Sequence, residues 1–270
     1  MKIYILTDIE GVSGVVQQRQ QGLSGDGDGF YQRARQWLTM EINAAVDGAK
    51  AAGADKIIVI DGHGHNGGYN VVFENLSENA DYVVGTPWDK YPPVMDKSFD
   101  LLFQVGAHAM AGTSPAVLEH TMSSAAVLNY WINGKRVGEL GLLSMIASDY
   151  GIPTGLVTGD YYMCVEAKKL LGNNLFAVAT KKALSRTSAV CYPLSKNLRE
   201  IKKAAGDAVK NAELFKLLKV KRPVELRIDF LRTDMVRRYQ DKPHCKIVDN
   251  RTLVIKAGNM IEVVNIWRNA

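Results

Sequence analysis

Short apolar runs alternate along this chain with stretches whose apolar residues recur every three or four positions. KIYILT (2–7) reads as a buried strand that stops at the polar DIEGVSG turn. Over 30–52 the residues Ala34, Trp37, Leu38, Ile42, Ala45, Val46 and Ala49 share one helical face, and Gly53 supplies a C-cap. KIIVID (56–61), rich in β-branched residues, is a second strand ending in a Gly- and His-rich loop. LLFQVG (101–106) is a third, running towards a histidine. AVLNYWING (126–134) reads as a strand entering a turn, and VGELGLLSMIASDYG (137–151) as a helix closed by glycine. TGLVTGD (154–160), a helix through Leu171 and LFAVAT (175–180) continue the alternation. This cadence predicts an α/β fold, a mostly parallel sheet flanked by helices. Near Cys191 the rhythm changes. A basic helix (195–218) precedes PVELRIDF (223–230), the KIVD and TLVIK strands, and a C-terminal helix from about Asn259. The later part reads as a second, smaller α/β subdomain that packs on or caps the first, with the expected division 1–190 and 191–270. No internal repeat or low-complexity tract interrupts the pattern.

A chain of 270 residues with 47% hydrophobic and 23% charged residues is globular and short for more than two domains, which excludes disorder, collagen-like repeats and coiled coil. No apolar run approaches the roughly 20 residues of a membrane helix, and MKIYILTD meets Asp8 too soon for a signal peptide. Cys164, Cys191 and Cys245 form no CxxC pair and no even framework, so reduced thiols in a cytoplasmic protein are expected. The net charge of +5 divides unevenly. Residues 1–135 hold nine Lys and Arg against 15 Asp and Glu, a net of −6; residues 136–270 hold 24 against 13, a net of +11. The basic residues are spread over amphipathic helices without interleaved aromatics, so solvated helix faces explain them and nucleic acid does not. The acidic half carries four of the five histidines, His63, His65, His108 and His120, and that company points to metal.

Open α/β sheets bind ligands beyond the carboxyl ends of their strands. Three expected strands end in Asp8–Ile9–Glu10, in Asp61–Gly62–His63–Gly64–His65 and in Gly106–Ala107–His108. In extended backbone residues i and i+2 face the same way, so Asp8 and Glu10 can share one site. Two adjacent carboxylates repel and raise one pKa unless positive charge lies between them. A divalent cation removes that penalty, and imidazoles from two further strand ends supply the nitrogen ligands zinc prefers. Other motifs fit less well. GHGHNG (62–67) has the spacing of a dinucleotide fingerprint, but the following GYNVVFENL is a poor helix start and Asp81 is badly placed as its acidic residue. Asp8–Ile9–Glu10–Gly11 resembles the nucleophile loop of haloacid-dehalogenase-like phosphatases, which take Asp at the second acidic position and magnesium without histidines. A metal-dependent phosphatase built on Asp8 is the alternative reading. The stretch 26–29 looks like part of a calcium loop, yet Arg35 stands where its Glu belongs, and it reads as a Gly-rich loop. Walker A and Gly-x-Ser-x-Gly sequences are absent.

Four stretches in order, TDIEGVSG (7–14), VIDGHGHN (59–66), GAHAMAGTSPAVLEHT (106–121) and INGKRVGELGL (132–142), resemble the DppA-type zinc-dependent D-aminopeptidases. Weaker similarity continues through SRTSAVC (185–191). The resemblance implies that Asp8, Glu10, His63, His108 and Glu139 are metal ligands, that Asp8 bridges two zinc ions in each subunit, and that His120 is essential to catalysis. It also implies a ring-shaped homo-oligomer, a decamer, with active sites facing an internal channel. On that assignment Asp8, Glu10 and His63 serve one zinc and Asp8, His108 and Glu139 the other, leaving each the open position that catalytic zinc needs. A hydroxide held by both ions would be the nucleophile, since zinc lowers the pKa of bound water to about 7. His120 would stabilise the transition state or deliver a proton to the leaving amine.

The second stretch holds an extra histidine, His65, which at i+2 from His63 is either an alternative ligand or a flanking imidazole. Glu139 stands at an expected helix start, where a carboxylate is favourable in any case. Glu119 reads as a solvated turn residue, His244 has no assigned role, and Asp61 is a candidate to orient a nearby imidazole. The expected protein is a cytoplasmic, dinuclear-zinc aminopeptidase acting on short peptides with an N-terminal D-residue, without nucleic acid or membrane partners. A third reading is a non-enzymatic, metal-stabilised oligomer assembled through its basic half.

Overall fold

A computed structural model describes residues 1–22 and 28–269, so Asp26 and Gly27 of the Gly-rich loop lie outside the described residues. In chain order the elements are β1 (Lys2–Thr7), α1 (Gly29–Ala51), β2 (Lys56–Asp61), β3 (Asp81–Val83), β4 (Leu101–Ala107), β5 (Val127–Ile132), β6 (Lys135–Val137), α2 (Glu139–Asp149), β7 (Thr154–Asp160), α3 (Tyr161–Leu171), β8 (Phe176–Ser185), β9 (Ser188–Cys191), α4 (Leu194–Lys210), β10 (Val224–Phe230), α5 (Thr233–Arg237), β11 (Cys245–Ile247), β12 (Thr252–Ala257) and α6 (Met260–Asn269).

The larger sheet has the order β3-β2-β1-β4-β7-β8-β9 and is parallel except for β9, which returns antiparallel along β8. Succession runs outward from β1 to β3 on one side and from β4 to β8 on the other. The strand order therefore reverses between β1 and β4, and the crevice beyond the carboxyl ends at such a reversal is where these sheets bind ligands. Alternation along β1 sorts the two faces. Ile3 and Ile5 join Ile57, Val59 and Phe103 beneath Leu38 and Ile42 of α1 and Ile201 and Ala205 of α4. Tyr4 points the other way, towards Ile60, Leu102 and Leu143 of α2. With both faces covered, these strands read in sequence as unbroken apolar runs.

The smaller sheet, β11-β12-β10-β5-β6, is antiparallel throughout. Tyr130, Leu226, Ile228 and Ile255 on its apolar face pack with Val263, Val264 and Trp267 of α6 and with Leu142 and Ile146 of α2. This sheet draws β5 and β6 from 127–137, while α4, beyond residue 191, packs against α1 on the larger sheet. α2 lies between the two sheets. Leu140, Leu142, Leu143, Ile146 and Ala147 are buried in three different core clusters, as a helix apolar around its circumference must be. Each Leu or Ile so placed contributes about 1.5–3 kcal/mol, and the first residue of this anchored helix is Glu139.

The expected basic helix over 195–218 stops at Lys210. Its buried stripe of Ile201, Ala204, Ala205, Ala208 and Val209 ends there, and Phe215 beyond it turns in against Phe176 of β8. Among the described residues no helix is long and apolar enough to cross a membrane.

Candidate metal centre

Three strand ends converge at the reversal between β1 and β4. Asp8 N donates to Val105 O and Gly11 N to Gly106 O, both at 2.8 Å, which lays the 8–11 turn on the end of β4. The approach excludes side chains. A Cβ on Gly11 would stand 2.1 Å from Ala107 O, and one on Gly106, whose φ is +78°, 2.1 Å from Asp8 O. A buried cation secures the turn from behind. Lys181 of β8 donates from Nζ to Glu10 O, Val12 O and Val15 O at 2.6, 2.7 and 2.6 Å. Thr180 Oγ1 donates to Gly11 O at 2.6 Å, and Ser13 N donates to Glu41 Oε1 of α1 at 2.9 Å.

Asp8 divides its oxygens between two histidines: Oδ1 lies 3.0 Å from His63 Nδ1 and Oδ2 3.3 Å from His108 Nε2. Glu10 Oε2 is 3.6 Å from His63 Nδ1. Glu139 Oε1 is 3.1 Å from His108 Nε2 and 3.5 Å from His120 Nε2, which is itself 3.9 Å from Glu10 Oε1. The rings of His108 and His120 stack with centroids 3.9 Å apart. In each histidine the remaining nitrogen is committed to a main-chain carbonyl. His63 Nε2 donates to Gln21 O at 2.9 Å, His108 Nδ1 to Ala109 O at 3.0 Å, and His120 Nδ1 to Leu118 O at 2.9 Å. These bonds assign the tautomers and leave the other nitrogen of each ring as a lone pair aimed at carboxylate oxygens.

A lone pair facing a carboxylate is repulsive unless a proton or a metal cation stands between them. Glu10 Oε2 and His108 Nε2 are buried with no hydrogen-bond partner among the described residues, an arrangement that calls for such a cation. Two groups, Asp8–Glu10–His108 and His108–His120–Glu139, hold donor atoms all within 4.8 Å of one another. A mixed set of imidazole nitrogens and carboxylate oxygens fits zinc.

The proton affinities of the cluster follow from the same deficit of positive charge. Burial and the charge of Glu10 push Asp8 up to about 8. Burial would raise Glu10 too, but His63 and the bond to Asp8 outweigh it and hold Glu10 well below the usual carboxylate range. The pair thus keeps one proton between them. Burial works to lower His63, yet Glu10 and Asp8 raise it to about 9. His108 rises against burial through Glu139, whereas burial and the charge of His108 lower His120.

The family model described as D-aminopeptidase matches residues 1–269. This chain belongs to the D-aminopeptidase family. It is similar to the curated D-aminopeptidase of Bacillus subtilis strain 168, with 31% identity over 268 residues covering 97% of this chain and 93% of that protein. It also matches the solved structure of the Zn-dependent D-aminopeptidase DppA from Bacillus subtilis, described as a self-compartmentalizing protease. There the TM-score is 0.91 at 28% identity, covering 100% of this chain and 96% of that one. The α/β fold with a mostly parallel sheet is thus borne out, and membership of a peptidase family does not favour a phosphatase built on Asp8.

In this D-aminopeptidase-family chain the structure brings Asp8, Glu10, His63, His108, His120 and Glu139 into one cluster. His65 lies in the wall beside it, its ring 5.4 Å from that of His63, and pairs with no carboxylate among the described residues. Asp61 orients no imidazole directly. It accepts from the backbone and side-chain nitrogens of Asn70, whose Nδ2 also donates to His63 O at 2.9 Å. Glu119, expected in solvent, pairs with Arg186 at 2.9 Å because its turn is tied to the β8–β9 hairpin by Leu118 N donating to Arg186 O. His244 is exposed and apart from the cluster. No α-helix follows the GHGHNG loop, only short 3-10 turns at Asn66–Gly68 and Phe73–Asn75. Gln21 went unmarked in the sequence. Its Nε2 donates to Glu10 Oε1 at 2.5 Å while its carbonyl holds His63, and a Gln-rich stretch gives no spacing that would reveal this. A cleft of 400 Å³ opens over the cluster, with Trp88, Tyr91 and Arg268 also in its lining.

Proposed function

We propose that this chain is a dinuclear-zinc aminopeptidase that removes an N-terminal D-residue from short peptides. The observation that carries the proposal is the set of three imidazole lone pairs turned onto Asp8, Glu10 and Glu139 at the reversal of the sheet. Asp8, with one oxygen towards each side, would be shared; Glu10 and His63 would complete one ligand set, His108 and Glu139 the other. Zinc held there would polarise the scissile carbonyl and make water acidic enough to attack at neutral pH. The remaining work belongs to the chain. Gln21 fixes Glu10, and the carbonyls of Gln21, Ala109 and Leu118 fix the three imidazoles. His120, anchored through Nδ1, turns the lone pair of Nε2 to the cleft, where it would take a proton from the attacking water and return it to the leaving amine.

The description of the Bacillus subtilis structure as Zn-dependent and self-compartmentalizing supports zinc and a ring-shaped homo-oligomer for this chain, which we take to be a cytoplasmic homodecamer. Metal analysis together with hydrolysis of D-Ala and L-Ala p-nitroanilides tests the reading. About two zinc per chain with D-selective cleavage is the expected result. Two zinc without cleavage of either anilide would detach the site from aminopeptidase chemistry, and magnesium-dependent turnover of a phosphate monoester would replace it.

A further inference from the structure

We propose that Arg268 forms a subsite for the free carboxylate at the far end of the substrate, so that the cleft selects very short peptide acids. The inference rests on the peptidase reading above. The cleft, at 400 Å³, has the size of a small-ligand site. Its charges are segregated. Asp8, Glu10 and Glu139 belong to the metal cluster, and Arg268, on α6, is the only lysine or arginine among the described residues that line the cleft. No carboxylate among the described residues pairs with that guanidinium.

The guanidinium is also held in place. It lies 4.6 Å over the ring of Tyr91, on which Trp88 stacks in turn. Tyr91 is clasped to α6 by two bonds: its N donates to Asn265 Oδ1 at 2.9 Å, and Asn265 Nδ2 donates to its carbonyl at 3.0 Å. Asn265 and Arg268 are three residues apart on one helix and so share a face. The contact that pins the aromatic wall therefore also aims the arginine. A planar, pre-ordered guanidinium suits bidentate binding of a carboxylate. An extended dipeptide spans about 7 Å, with its amino group and carboxylate at opposite ends, and a peptide whose amino end lies at the metal cluster has its carboxylate left to pair with the one guanidinium that lines the same cleft among the described residues.

The test compares zinc-loaded wild type, Arg268→Gln and Arg268→Lys on D-Ala-Gly and its C-terminal amide, reading kcat, KM, zinc content and melting temperature. Wild type should prefer the acid. In Arg268→Gln the acid-to-amide ratio of kcat/KM should fall about tenfold, ~1.4 kcal/mol, through KM for the acid, with zinc content and melting temperature retained. Arg268→Lys should keep part of the preference, having charge without the fork. It also carries the test if the glutamine variant folds poorly. A ratio unchanged in both variants, or a wild type indifferent to the terminal charge, would overturn the subsite and leave the peptidase reading standing. A wild type that cleaves neither peptide would overturn both.

Discussion

A histidine with one nitrogen bound to a carbonyl has only the other to offer a cation, and three such side chains here share three carboxylates. The placement separates the two neighbouring histidines of the β2 loop. His63→Ala should lose zinc and His65→Ala should keep it, because His63 Nδ1 stands 3.0 Å from Asp8 and 3.6 Å from Glu10 while His65 pairs with no carboxylate among the described residues; equal loss in the two would reverse that ranking. His120 sits close enough to Glu139 and Glu10 to serve as either ligand or proton carrier. We expect His120→Ala to keep its zinc and lose roughly 10²–10⁴-fold in turnover. Zinc loss in proportion to activity would move His120 into the ligand set. At this scale much was legible. Asp8, Glu10, His63 and His108 stand where strands end, and that is a sequence property. Glu139 and His120 needed a resemblance, since a helix start and a loop histidine look ordinary alone. Gln21 and Lys181 were out of reach, because Gln21 holds His63 through its own carbonyl and Lys181 binds three main-chain oxygens, and no residue pattern encodes bonds to the backbone.

Between residues and molecule, the 10–15 turn acts as an element without regular structure, held by Lys181, Thr180, Glu41 and Asn197. Lys181→Met would strip three carbonyls of their donor in a buried setting, where each unsatisfied group costs about 1–3 kcal/mol. The variant should unfold at distinctly lower urea and bind zinc more weakly through displacement of Glu10; an unchanged midpoint would refute the clamp. β1, β2 and β7 match their expected bounds, since buried parallel strands read as continuous apolar runs. β3, β6 and β9 were missed. They are three or four residues long, and pairing along a neighbour, not composition, makes them strands. Arg268 escaped notice for a related reason: the clasp between Asn265 and Tyr91 brings the end of α6 to a cluster whose residues lie between positions 8 and 139.

For the molecule as a whole, metal and protons compete for the same lone pairs, and that sets a pH dependence. Without zinc, the folded chain holds protons on the Asp8–Glu10 pair and on His63 to about 8 and about 9, whereas the unfolded chain releases them near 3.8 and 6.5. The folded state therefore binds more protons across this window. The stability these groups contribute is complete below the unfolded values and is lost as pH rises through the folded ones. Zinc substitutes for those protons. The melting-temperature gap between zinc-loaded and chelator-treated protein should accordingly widen from about pH 5.5 to about pH 8.5; a gap that narrows would show that the cluster does not hold the metal. The crossing of the chain between sheets was not visible in the sequence, where the change of rhythm near Cys191 marks altered strand pairing and α4 still packs on the larger sheet.

α2 gives the enzyme's dimensions an unexpected governor. One flank of this helix seats Leu143 and Ala147 against the larger sheet, another seats Leu142 and Ile146 in the smaller one, and its first residue faces the histidines. The packing of the two sheets and the position of Glu139 are thus set by a single rod, much as a shim sets the gap of a vice. Widening the range of accepted substrates is then a matter of resizing Leu142 or Ile146, residues that no peptide touches, and leaving the lining itself alone.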